Sequence, residues 1–225
     1  MLKTLIILFL GCILIQGCDN LPKAGKSKYR DGEITGSGLT STQIFDSHEF
    51  DGVQIDRSFD VTLAAGISPR VTVTADDNIA SLFIPKIIDG ILRLEFSKGF
   101  TTTNEIKILI ESPDIERINH QGTGTVLLDN LKLKFLDISM SGSGKVTGLG
   151  EVDKLWIDST GKGTVLLQDL PSRKCEVLMS GPGQVVVTAT EELNAVNRGK
   201  GEIIYYGNPE VQTIDNSGSG QIKRK

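Results

Sequence analysis

INHQGTGTV at residues 118–126 recurs as ISMSGSGKV (138–146), IDSTGKGTV (157–165), VLMSGPGQV (177–185), AVNRGKGEI (195–203) and IDNSGSGQI (214–222). The glycine pairs are Gly122 and Gly124, Gly142 and Gly144, Gly161 and Gly163, Gly181 and Gly183, Gly199 and Gly201, and Gly218 and Gly220. Their first members are spaced 20, 19, 20, 18 and 19 residues apart. A constant period near 20 is the mark of a repeat architecture. Four residues before each pair stand Ile118, Ile138, Ile157, Val177, Ala195 and Ile214. Two residues after it stand Val126, Val146, Val165, Val185, Ile203 and Ile222. The flanks alternate with period two, as half-buried strands do. Both apolar columns are therefore expected to point inward, the second broken once, near Gly148.

About 19 residues suffice for two strands and two corners. A chain that coils back above itself stacks such strands in parallel, and only several coils together can bury the apolar face. The expected fold is all-β: a parallel β-helix, or β-solenoid, of two sheets with Gly-x-Gly corners. Glycine is expected there because it adopts positive φ without a Cβ clash. An antiparallel barrel built from hairpins could use the same corners, but constant phase over six copies does not favour it.

The chain has 225 residues, 25 glycines, few aromatics and a net charge of −4. That balance gives no basic footprint for nucleic acid. The start, MLKTLIILFLGCILIQGC, places Lys3 before an apolar run from Leu5 to Ile15. The run is short for a membrane span and suits a signal peptide over 1–17. Ile15-Gln16-Gly17-Cys18 resembles the lipobox of bacterial lipoproteins, which implies lipidation at Cys18. Cys12 follows a shorter run and suits that role less well. Polar, lysine-rich residues 18–34 then read as a tether. Cys175, two residues before the inward Val177, reads as a small buried apolar residue.

A domain over 35–225 is expected to follow, regular from about 115. Gly36-Ser37-Gly38 reads as an early copy of the corner. Strands are expected near 52–55, 59–63 and 71–74, with a helical turn over 77–83 capped by Asp77. Asp89-Gly90 signals a hairpin between Ile87-Ile88 and Leu92–Phe96. The terminal Lys223, Arg224 and Lys225 are placed to discourage another chain from stacking on the open end.

The lipoprotein leader, the segment FDGVQIDRSFDVTLAAG, Asp77-Asn78, the serial S-G-S-G corners and Tyr206-Gly207-Asn208-Pro209 carry a family resemblance. The chain resembles, over about residues 35–222, the "putative auto-transporter adhesin, head GIN domain" family common in Bacteroidetes-type bacteria. The resemblance implies a pectin-lyase-like β-helix and a role in cell adhesion. It brings no catalytic residues to carry over.

Stacking predicts one further column, Arg117, Asp137, Trp156 and Glu176, on the outer face of the strand before each corner. A Trp between carboxylates is a candidate glycan or protein-binding face. Asp137 and Asp158 stand on neighbouring coils at a spacing an inverting glycosidase could use. The glycine runs lack the aspartates of calcium-binding coils and the lysine of a phosphate loop, and two distant histidines do not make a zinc site. Anion-binding nests at the corners are disfavoured by their varied middle residues. No cofactor or metal is expected. The expected function is a non-enzymatic, lipid-anchored adhesin, or a polymer- or protein-binding surface, in the envelope of a Gram-negative bacterium, periplasmic or surface-exposed. The alternatives are a polysaccharide-processing enzyme and a structural or sensory accessory; an oligomer is allowed.

Overall fold

The computed structural model describes residues 34–225. The expected signal peptide, Cys12, Cys18 and all but the last residue of the tether lie outside them. Strands β1 (Ile34–Thr35) and β2 (Thr40–Asp46) lead into β3 (Gly52–Ile55) and β4 (Asp60–Ala65). An excursion follows: β5 (Arg70–Asp76), the one-turn helix α1 (Asp77–Ala80), β6 (Phe83–Ile88), β7 (Ile91–Phe96), β8 (Phe100–Thr101) and β9 (Lys107–Ser112). The regular stack comprises β10 (Arg117–His120), β11 (Thr125–Met140), β12 (Lys145–Ser159), β13 (Thr164–Met179) and β14 (Gln184–Asn197). It closes with β15 (Glu202–Tyr206), β16 (Val211–Asn216) and β17 (Gln221–Arg224).

The hydrogen-bonded ladder has two branches. One runs β16-β14-β13-β12-β11-β10-β3-β7-β6, the other β17-β15-β14-β13-β12-β11-β4-β9-β5-β2. Every pairing from β10 to β17 is parallel. The expected β-solenoid is the observed fold. Strands β11 to β14 pass through both branches. The second corner of each coil is therefore a bend within a long strand, marked by register shifts at Leu128/Leu131, Thr147/Val152 and Leu167/Ser172. Asn130, Gly150 and Gly207, with φ of 51°, 128° and 97°, turn the chain near these bends.

Both inward columns are buried from coil to coil. Where Gly148 interrupts the second, Leu128 and Leu167 close over the gap: a Cβ there would lie 2.9 Å from Leu167 Cδ2 and 3.1 Å from Leu128 Cδ1. The columns end at Ile214 and Ile222, and Ile214 is 46% exposed because no coil of the structure covers it. The last coil also turns polar. Gln212 and Arg224 stand at the register positions of Leu193 and Tyr205 one coil earlier. A terminal repeat of a solenoid needs such a polar outer side. At the other end, antiparallel β2 and β5 and the hairpin β6–β7 close the stack over a cluster of phenylalanines. Phe83 and Phe96 pack there with centroids 5.1 Å apart.

The reason for the corner glycines differs from the expected one. Positive φ occurs at Gly38, Gly90, Gly150 and Gly207, and at none of the twelve corner glycines. Their constraint is space. A Cβ on Gly142 would lie 2.2 Å from Gly122 O; on Gly161, 2.1 Å from Gly142 O; on Gly181, 2.2 Å from Gly161 O. Each coil's corner thus rests on the carbonyl oxygens of the coil before it. The corner amides are consumed in the same stacking, as in Lys162 N to Gly142 O (3.0 Å) and Gly201 N to Gly181 O (3.0 Å). Amides bonded in this way are not free to form anion nests.

Two local expectations are corrected. Gly36-Ser37-Gly38 is not a stacked corner: Gly36 packs on the Asp76 carboxylate, while Gly38 has open space and φ of 81°. Helix α1 stops at Ala80, and its cap position is Asp76, with no side-chain capping bond. The buried Asp76 carboxylate instead accepts from Gly38 N (3.0 Å), Thr102 Oγ1 (2.5 Å) and Asn104 Nδ2 (2.6 Å). The first coil lies where strands were expected near 52–55 and 59–63. β3 and β4 form it, turning at Asp56-Arg57-Ser58 with no glycine pair, and Gly122 and Gly124 rest on Arg57 O and Phe59 O.

Cys175 is buried as expected, and burial pushes its thiol up to about 12. In the folded protein it is expected to resist thiol-specific reagents at neutral pH and to react on denaturation. Native-state labelling of Cys175 at the rate of a free thiol would contradict this packing.

Candidate binding face

Strand alternation sends odd and even positions to opposite sides. In the branch before the corners, alternate residues turn outward between Ile118 and His120 and their equivalents. The register sets Arg117 opposite Asp137, Asp137 opposite Trp156, Trp156 opposite Glu176, and Glu176 opposite Asn194. All four residues singled out in the sequence are therefore brought together in one outer column. Arg117 is tied sideways by an ion pair with Asp51.

A second outer column, two residues earlier in each coil, lies beside the first: Phe135, Lys154, Lys174 and Glu192. The repeat phase that located Trp156 contained this column too. Between the two columns is an open depression of about 420 Å³, lined by Phe135, Lys154, Trp156, Lys174, Glu176 and Asn194 among others. Trp156 is 49% exposed at its side. Lys174 Nζ holds Glu192 Oε2 at 2.7 Å. Asn194 Oδ1 has no hydrogen-bond partner, a feature no sequence pattern announces. A flat indole ringed by charged and amide groups offers an apolar surface with polar groups to orient what lies on it.

Asp158 stands opposite Ser139, so Asp137 and Asp158 are diagonal neighbours on adjacent strands. Partial burial pushes the Asp137 carboxyl up, the Asp158 charge adds to the effect, and Arg117 opposes it. Lysines and carboxylates alternate around the open depression, so the face is not the deep acidic groove a polysaccharide hydrolase would present.

Inside the same branch, a polar inner position closes several corners. His120 Nε2 lies 3.0 Å from Gly124 O. Asn197 Nδ2 donates to Gly201 O (3.0 Å), and Asn197 Oδ1 accepts from Gly199 N (3.0 Å). Asn216 Nδ2 donates to Gly220 O (3.1 Å). Sequence reasoning overlooked these locks, although Asn197 and Asn216 occupy the same place in their repeats.

Among solved structures, this fold is similar to that of a putative adhesin from Bacteroides fragilis, with a TM-score of 0.69 and 25% identity. That match covers 85% of this chain and 100% of the other. A putative adhesin from Parabacteroides merdae matches with a TM-score of 0.62 and 18% identity, over 86% of this chain and 99% of the other. A protein from Parabacteroides distasonis described as a putative lipid binding protein matches with a TM-score of 0.53 and 22% identity, over 86% and 99%. No curated protein matches the sequence. The family model described as "Putative auto-transporter adhesin, head GIN domain" matches residues 49–209, most of the chain. The chain belongs to that family.

Proposed function

We propose that this solenoid is a non-enzymatic, adhesin-like protein of the cell envelope. It presents the Trp156 face to a glycan, and lipid on Cys18 anchors it through the lysine-rich tether. Membership of an adhesin family supports the general role. The carrying observation is the half-exposed Trp156, set in register between Asp137 and Glu176 beside an open depression. Among the described residues, no helix is long and apolar enough to cross a membrane, so the tether and its lipid supply the attachment in this reading.

The test is binding to an array of immobilised glycans, with turnover measured on every glycan bound. Trp156→Ala is expected to weaken binding about tenfold or more, since an exposed aromatic at the centre of a contact carries a large share of its energy. No shortened product is expected. Cleavage that disappears in Asp137→Asn would replace this reading with the hydrolase, whose support is the raised Asp137 carboxyl beside Asp158.

A further inference from the structure

Stacking collects the residues around each glycine pair onto one straight edge. Gly142 rests on Gln121 and Gly122, Gly161 on Ser141 and Gly142, Gly181 on Thr160 and Gly161, and Gly199 on Ser180 and Gly181. Lys145, Lys162, Arg198 and Lys200 all lie along this edge, and all are exposed. Among the described residues, none of the four makes an ion pair or a side-chain hydrogen bond. By contrast, three cations near the second corner are matched, Lys132 with Glu151, Arg173 with Glu191 and Lys174 with Glu192, while Lys134 and Lys154 have no ion pair among the described residues. The first coil's corner adds Arg57 and the carboxylate Asp56, which accepts from Gln54 Nε2 at 2.9 Å; in the six glycine corners 121–125, 141–145, 160–164, 180–184, 198–202 and 217–221, the one carboxylate is Glu202. It is already held by Lys223 Nζ at 2.8 Å and Gln184 Nε2 at 3.0 Å. Asp158 and Asp215 stand three residues before their corners, on the adjoining face.

The edge is therefore cationic and unneutralised on a chain whose net charge is −4. Its other exposed side chains are mostly hydroxyls, among them Ser141, Ser143, Thr160, Ser180 and Ser219, with Pro182 the apolar exception. It has no aromatic anchor of the kind protein interfaces favour. Nor has it the apolar residues with which a membrane-surface element enters the headgroup layer. Lys162 and Lys200 lie two rungs apart, about 10 Å along the stack. A rigid row of this kind matches a linear polymer carrying negative charges at intervals, with neutral hydroxyls between them.

From this we infer that the corner edge is a binding site for a linear acidic polysaccharide. Lys145, Lys162, Arg198 and Lys200 pair with its carboxylate or sulfate groups, and the Ser and Thr hydroxyls bond its sugar hydroxyls. The site is separate from the Trp156 face and does not depend on it.

The experiment titrates the protein with polygalacturonate, with uncharged dextran, and with vesicles of mixed phosphatidylcholine and phosphatidylglycerol. Polygalacturonate is expected to bind, and binding is expected to weaken steeply between about 0.05 and 0.3 M salt, as exposed charge pairs do. Dextran and the vesicles are expected not to bind. The triple variant Lys162→Ala, Arg198→Ala, Lys200→Ala is expected to bind polygalacturonate about tenfold more weakly, with its melting temperature retained because these side chains bury nothing. Trp156→Ala is expected to bind polygalacturonate like the parent, so failure of the Trp156 reading leaves this one standing. Undiminished binding by the triple variant, equal binding of dextran, or binding to vesicles in place of the polymer would overturn it.

Discussion

Gly181→Ala is expected to remove about 3 kcal/mol or more of folding stability, far above the usual effect of one added methyl group. The new Cβ would meet Gly161 O at 2.2 Å and Thr160 O at 2.5 Å. Both are backbone atoms and cannot swing aside as a side chain can. Gly181 itself is held above and below, by Gly181 N to Ser159 O (3.1 Å) and Gly201 N to Gly181 O (3.0 Å). Relief requires separating two coils, which breaks several ladder bonds and opens the dry core beneath the corner. Two controls isolate the cause. Gly38→Ala adds a methyl group in open space at φ of 81°, so it meets conformational strain alone, about 1 kcal/mol. Gly218→Ala meets Gly199 O at 2.2 Å, but it sits in the last coil, whose strands pair on one side only. That coil can lift, so the expected result is faster hydrogen exchange in β16 and β17 with a smaller global loss. Urea unfolding of the three variants separates these outcomes. Equal losses for Gly181→Ala and Gly38→Ala would mean that crowding by carbonyls is not what fixes the corner glycines.

The same crowding explains what was legible in the sequence. A Cβ at a corner points at the preceding coil, so each coil with another beneath its corner must place glycine there. Six coils carry that mark, and their phase fixes both inward columns and the Arg117–Asp137–Trp156–Glu176 register. The coil of β3 and β4 rests on β7 and β9, which are joined by residues 97–106 and not by a tight glycine corner; it turns at Asp56-Arg57-Ser58 and no periodic signal betrays it. The second corners are equally silent: they bend through bulges of varying length and demand no fixed residue. The outer face was readable wherever it keeps the phase of the glycines. The depression beside Trp156 was not, because it depends on how Phe135, Lys154 and Lys174 lie across neighbouring strands. That Lys145, Lys162, Arg198 and Lys200 find no carboxylate partner among the described residues is likewise a property of the stacked coils, since residues some 20 apart in the chain become neighbours only on stacking.

Asn197→Asp is expected to cost about 3 kcal/mol or more at neutral pH, although it changes one atom. Asn197 is fully buried and uses both ends of its amide: Oδ1 accepts from Gly199 N and Nδ2 donates to Gly201 O, each at 3.0 Å. An aspartate keeps the first bond. It turns the second into an approach of two acceptors and places a charge in the core. Burial and the facing carbonyl both disfavour the ionised form, so the folded-state pKa of the new carboxyl is raised above its unfolded value. The unfolded chain then releases this proton at lower pH than the folded one. The penalty is complete above the folded pKa, shrinks as pH falls through it, and vanishes below the unfolded pKa. Protonated, the carboxyl can donate to Gly201 O as the amide did. The variant should therefore recover much of its loss relative to the parent on acidification, a trend seen by comparing denaturation midpoints of the two proteins at matched pH. Asn216→Asp is the control. Asn216 makes the equivalent bond to Gly220 O (3.1 Å) but is exposed in the last coil, so water solvates the new charge and the expected loss is below about 0.5 kcal/mol. If Asn197→Asp were as mild as Asn216→Asp, the buried amide would not be what closes this corner.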